Sequence, residues 1–197
     1  MSATGAQRSV PSAVSAAALP PLDARRLRMY RGGFWLVILA ESIGFLTLFS
    51  VRFLVAGTGH PAELNLPLGT LITLVFAASA VAAAGGLRAI AANDARAMIG
   101  RLRTALELGL VALILVVADW ASSSLAPASR FGGAYLATTL FHAIHIVVGL
   151  LFLAAIWSSG RRGRFSAENH WLVEAGVRFW LFVAAAWFAL YVVFFWL

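Results

Sequence analysis

The sequence predicts an all-α polytopic membrane protein of five transmembrane helices, and three observations predict it. Of 197 residues, 61% are hydrophobic and only 12% charged, far from the balance of a soluble domain. Five apolar stretches, at about residues 33–55, 67–87, 102–120, 134–157 and 171–197, are each long enough for a hydrocarbon core of ~30 Å. The third observation is charge placement. All fifteen basic residues are Arg. Arg8, Arg25, Arg26, Arg28 and Arg31 precede the first stretch, Arg88, Arg96, Arg101 and Arg103 fall between the second and third, and Arg161, Arg162 and Arg164 between the fourth and fifth. Alternate connections are therefore basic, which is the positive-inside pattern with a cytoplasmic N-terminus and an external C-terminus. The formal charge of +7 reads as a topology determinant and not as a nucleic-acid surface.

The absence of Cys excludes disulfides, thiol chemistry and Cys-ligated metal centres. Residues 1–29, rich in Ser, Ala and Pro, read as a flexible cytoplasmic tail with a short interfacial helix near residues 22–30, ahead of a helical domain over residues 30–197. The tail has no apolar run strong enough for a cleaved signal peptide.

Span one contains Glu41, about eight residues past its start at Gly33 and so ~12 Å inside the helix. A carboxylate at that depth has to be protonated or paired across a helix interface. Arg52, near the far end, is placed to snorkel outward. His60, Pro61, Glu63 and Asn65 mark an external loop, and Pro67 opens span two, where its missing donor is harmless. Ser79, Gly85, Gly86 and the alanines around them imply close helix packing.

The connection from Arg88 to Arg103 is polar, with Asn93, Asp94 and Gly100 as turn points. Span three has Glu107 near its inner end, spaced for an i,i+4 pair with Arg103, and Asp119 near its outer end. Residues 121–132 form the next external loop. Span four carries Thr138, His142 and His145 on one helical face. Span five has Glu174 and Arg178 at i,i+4 spacing near its inner end. Trp35, Trp120, Trp157, Trp171 and Trp196 fall near span ends, as interfacial aromatics do.

The polar groups within the spans, Glu41, Glu107, His142, His145, Glu174 and Arg178, admit three roles. Haem or metal ligation would need His at facing positions of two helices, yet spans one to three have none, and the carboxylates map nearer the inner side than the histidines. A stand-alone transporter or proton pathway suits Glu and His, but no inverted repeat or broken helix accompanies them. The third role is a polar helix interface in a subunit of a larger complex.

The stretch Phe131-Gly-Gly-Ala-Tyr135-Leu-Ala-Thr-Thr-Leu-Phe141-His142-Ala-Ile-His145-Ile-Val-Val-Gly149 resembles a segment of subunit III of the haem-copper respiratory oxidases. Leu39-Ala40-Glu41-Ser42 followed by Phe45 and Phe49, and Val173-Glu174-Ala175-Gly176 through Trp180, Phe182, Val183 and Trp187, are similar to two further segments of that family. The resemblance covers about residues 30–197 and implies the short five-span form. It implies an accessory subunit that packs beside catalytic subunit I and other respiratory subunits, carries bound phospholipid and sustains proton uptake. Haem and copper would lie in the partner, so this chain would be part of an oxidoreductase complex without its own redox centre. Leu181 and Ala184 replace the His and Asp of the family's last helix. That departure keeps open the accessory subunit of a nitric oxide reductase.

Overall fold

A computed structural model describes residues 22–59, 61 and 63–197; most of the Pro-rich tail and His60 lie outside the described residues. Five helices follow in order: α1 (Ala24–Ala56), α2 (Leu66–Ala91), α3 (Ala95–Ser122), α4 (Arg130–Arg161) and α5 (Trp171–Phe195). All five are long and apolar enough to cross a membrane, as the apolar stretches predict.

Helices α1 to α4 are longer than their predicted spans, whereas α5 ends at Phe195, two residues short of its predicted end. The 33 residues of α1 extend about 50 Å at 1.5 Å per residue, well beyond the hydrocarbon core. The polar stretches flanking the spans are helical too, because Arg and Ala are strong helix formers whatever surrounds them. The expected interfacial helix near residues 22–30 is accordingly the continuous first part of α1. Likewise, Arg88, Arg96, Arg101 and Arg103 do not fill a loop. Helix α2 runs to Ala91 and α3 starts at Ala95, leaving a turn of three residues with Asn93 at a φ of 61°, while Gly100 is helical.

Local chemistry sets the starts. The side chains of Asp23, Asn65, Asp94 and Ser129 accept from the backbone N–H of Arg26, Leu68, Ala97 and Gly132 at 2.7, 3.1, 2.8 and 3.0 Å, each satisfying a donor that the first helical turn leaves open. Pro67 lies in the first turn of α2.

Helix α5 packs on α2, α4 and α1, and α4 packs on α3, α5 and α1. The core between them holds Phe76, Ile146, Trp180, Trp187 and Phe194. The perimeter is apolar: Leu36, Leu39, Ile43, Leu46 and Leu54 of α1, Leu74 and Val81 of α2, Ile114 of α3 and Leu151 of α4 are exposed. In water such a surface would be untenable, whereas in lipid it costs nothing.

Arg52 does not snorkel outward. It is fully buried, donates to the carbonyls of Gly57 and Gly59, and lies 4.8 Å from the centroid of the Phe131 ring and 5.8 Å from that of Phe194. It thus closes the end of α1, where the last carbonyls lack helical partners.

Candidate functional site

His142 and His145 leave α4 on neighbouring faces and enter different surroundings. His142 is fully buried among Phe45, Phe76 and Trp187. Its Nε2 is 2.9 Å from the carbonyl oxygen of Val183 on α5. A carbonyl only accepts, so Nε2 carries the proton. The buried Nδ1 has no hydrogen-bond partner among the described residues.

His145 has the opposite arrangement. Its Nδ1 donates to Phe141 O at 2.8 Å, and its Nε2 is 3.1 Å from Glu41 Oε2 on α1. With Nδ1 already protonated, that contact holds a single shared proton: imidazolium faces carboxylate, or imidazole faces carboxylic acid. One histidine joins α4 to α5, and the other joins α4 to α1.

This corrects the expected depths. Glu41 does not lie inward of the histidines but at the level of His145, which it contacts at 3.1 Å where α1 packs on α4. Its side chain is 40% exposed against 10% for His145, so the acid faces partly outward while the imidazole faces in.

The remaining predicted residues divide. Glu107 is not buried: it sits on the outer surface of α3 and pairs with Arg103 at 2.7 Å, because a helix directs residues four apart to one side and this side carries no neighbour. Glu174 is buried, with Arg178 2.7 Å away as the spacing predicts. A second partner, Arg31 of α1, donates to it at 2.7 Å; from the sequence Arg31 reads only as a charge ahead of the first apolar stretch.

The structure adds a polar seam between α2 and α5. Thr70 and Tyr191 are bonded through their hydroxyls at 2.7 Å, Trp187 Nε1 donates to Thr73 Oγ1 at 3.0 Å, and Trp180 Nε1 donates to Ser79 Oγ at 2.9 Å. Ser79 in turn donates to Ala105 O of α3 at 2.7 Å. The recurrence of Thr70, Thr73, Phe76 and Ser79 at three-residue steps, a slanting ridge along α2, was the available signal. Between α3 and α4, Tyr135 donates to the buried Asp119 at 2.6 Å and Trp120 Nε1 to Thr139 at 2.9 Å.

Three of the four ring nitrogens of the histidine pair are thus engaged with Val183, Phe141 and Glu41. Ligation of haem or a metal through both histidines would have to break a bond of His145, and no cluster of three or more His, Asp and Glu ligands occurs among the described residues.

Five long apolar helices, with an apolar perimeter and polar side chains bonded to one another inside, define a multi-pass membrane protein of all-α architecture. The chain belongs to the cytochrome c oxidase subunit III family, whose profile matches residues 26–197. It is 28% identical over 175 residues to cytochrome c oxidase subunit 3 of Synechocystis sp., covering 84% of this chain and 74% of that one. It is 27% identical over 139 residues to the protein of that name from Dugong dugon, covering 70% of this chain and 52% of the relative. With that of Spodoptera frugiperda it shares 29% over 133 residues, 67% of this chain and 89% of the relative. The chain spans about half the length of the mammalian relatives it matches.

Proposed function

We propose that the chain is a non-catalytic accessory subunit III of a bacterial haem-copper terminal oxidase. It lies in the inner membrane beside catalytic subunit I and supports that subunit's stability and proton uptake. The observation that carries the reading is the family match across residues 26–197, which takes in nearly all of the five helices. The charge pattern supports a cytoplasmic N-terminus and a last helix running outward, since Arg161, Arg162 and Arg164 precede it. The bonded state of His142, His145, Glu41 and Glu174 supports structural roles for them. Haem and copper belong on this reading to the partner, as does the reduction of the acceptor.

An affinity-tagged chain, purified in mild detergent, is expected to bring down a haem-bearing polytopic subunit in stoichiometric amount. That complex should consume dioxygen with cytochrome c or quinol as donor. Leu181 and Ala184, where relatives are expected to carry His and Asp, favour a second reading: nitric oxide consumption without dioxygen consumption would establish the reductase accessory subunit. Haem retained by the isolated chain would overturn both.

A further inference from the structure

Glu41 uses one of its two side-chain oxygens within the chain. Oε2 is 3.1 Å from His145 Nε2, and no donor meets Oε1 among the described residues. Wherever the shared proton sits, Oε1 stays an acceptor: it is a carboxylate oxygen opposite imidazolium, or the carbonyl oxygen of an acid whose hydroxyl faces imidazole. The Glu41 side chain is 40% exposed. His145 lies midway along α4, Arg130–Arg161, so this open acceptor sits at hydrocarbon depth, where water supplies no donor.

The surface around it admits close approach. Gly33, Val37, Ala40 and Gly44 recur at steps of four, three and four residues, which sets them in a stripe beside Glu41. Gly33, Val37 and Ala40 are exposed, and a Cβ on Gly33 would meet nothing within 4 Å. Small side chains along such a stripe let the backbone of another helix come near. Ile144 and Val148 are exposed on α4 beside His145. Towards the Arg-rich end, Phe34 lies seven residues before Glu41 and Phe152 seven past His145, in each case about 10 Å along the helix. These two rings belong to the wall of an apolar cavity of about 250 Å³, which Gly176 and Phe179 of α5 close from behind. Ser159 is the one polar side chain in its lining.

We propose that the α1–α4 edge receives a membrane-spanning helix of the haem-bearing partner, which brings a hydrogen-bond donor to Glu41 Oε1 and a bulky apolar side chain to the cavity. The two features lie about two turns apart, so the donor and the apolar anchor of the partner helix are spaced alike. This edge rests on the accessory-subunit reading and adds to it the face and the chemistry of the contact. An acyl chain does not satisfy the edge, because hydrocarbon carries no donor to this depth. A second copy of the chain would set the same acid against itself. A helix with a hydroxyl, amide, phenol or indole meets both needs, the acceptor through its side chain and the small-residue stripe through its close-lying backbone.

The test places photoreactive p-benzoylphenylalanine at Ala40 or Val148 of the tagged full chain and, for comparison, at the exposed Val81 of α2, with illumination in native membranes before purification. Adducts from Ala40 and Val148 are expected on one membrane-spanning peptide of the haem subunit, with Ser, Thr, Asn, Gln, Tyr or Trp within a turn of the linked residue. Val81 should give none. Glu41→Leu should lower the haem subunit retained on the chain about tenfold, the loss of one interhelical bond at this depth. Glu41→Gln should retain it, since the amide donates to His145 Nε2 and its carbonyl accepts from the partner. Ala40→Trp should also lower retention about tenfold by crowding the stripe, whereas Leu39→Trp, about 100° around α1, should not. His145→Leu spares Oε1 and should leave the Ala40 adducts in place. Adducts on lipid alone, on a second copy of the chain or from Val81 in place of Ala40 would overturn the edge, as would equal losses for Glu41→Leu and His145→Leu. A wild-type preparation without the haem subunit would instead overturn the accessory-subunit reading itself.

Discussion

Glu41 and His145 meet at 3.1 Å although 104 positions separate them, and their contact ties the least covered helix, α1, to the centre of the bundle. One shared proton sets the consequence. Glu41→Gln keeps a donor for His145 Nε2 and should leave the thermal unfolding of the complex nearly unchanged. His145→Leu leaves a half-exposed acid without its partner and should cost about 1–3 kcal/mol. Infrared difference spectra of Glu41→Gln should lose a protonated-carboxyl signal, and an unchanged spectrum would show that the proton stays on the imidazole.

The indole of Trp180 is clasped by two glycines from different helices. A Cβ on Gly109 would lie 2.6 Å from Trp180 Cζ2, and one on Gly149 2.6 Å from Trp180 Cε3. Gly109→Ala and Gly149→Ala should each destabilise by about 1–3 kcal/mol through overpacking. The same change at Gly100, which has nothing within 4 Å, should stabilise by about 0.5–1 kcal/mol. Melting curves followed by tryptophan fluorescence distinguish the two classes, and a uniform response would refute the clasp.

Ser79 serves two helices at once, accepting from Trp180 and donating to Ala105 O. Ser79→Ala strands the indole N–H in a buried site and should cost about 1–3 kcal/mol. Thr104→Ala removes an exposed hydroxyl bonded only to its own helix and should stay within about 0.5 kcal/mol. Comparable losses for the two would mean that the seam contributes little.

Tyr135→Phe removes the hydroxyl that donates to Asp119 at 2.6 Å. Loss of about 1–3 kcal/mol is expected, since the buried acid then lacks its donor. Adding Asp119→Leu should recover part of that loss, because neither polar group remains unpaired. A double-mutant cycle on unfolding midpoints measures the coupling, and strict additivity would mean the two groups act independently.

The sequence alone determined the number of helices, their apolar character and the polar positions they carry. Length and hydropathy along one dimension are sufficient for that. It also determined Arg103–Glu107 and Glu174–Arg178, because four-residue spacing within a single helix makes such pairs neighbours whatever surrounds them. The ends of the helices were less legible, since Arg-rich flanks remain helical outside the hydrocarbon and hydropathy does not register them.

Only the tertiary structure decided which helix each polar group meets. Glu41 with His145, Arg31 with Glu174 and Ser79 with Trp180 depend on which helices are adjacent and on their vertical offset, and neither is encoded in the period of one segment. The depth of Glu41 shows the reason. Counting from the apolar boundary near Gly33 set it inward of the histidines, while the packing of α1 on α4 brings it level with His145. Burial followed the same rule: Glu107 and Glu174 have equivalent local patterns, and only the presence of α1 beside α5 encloses one and leaves the other exposed.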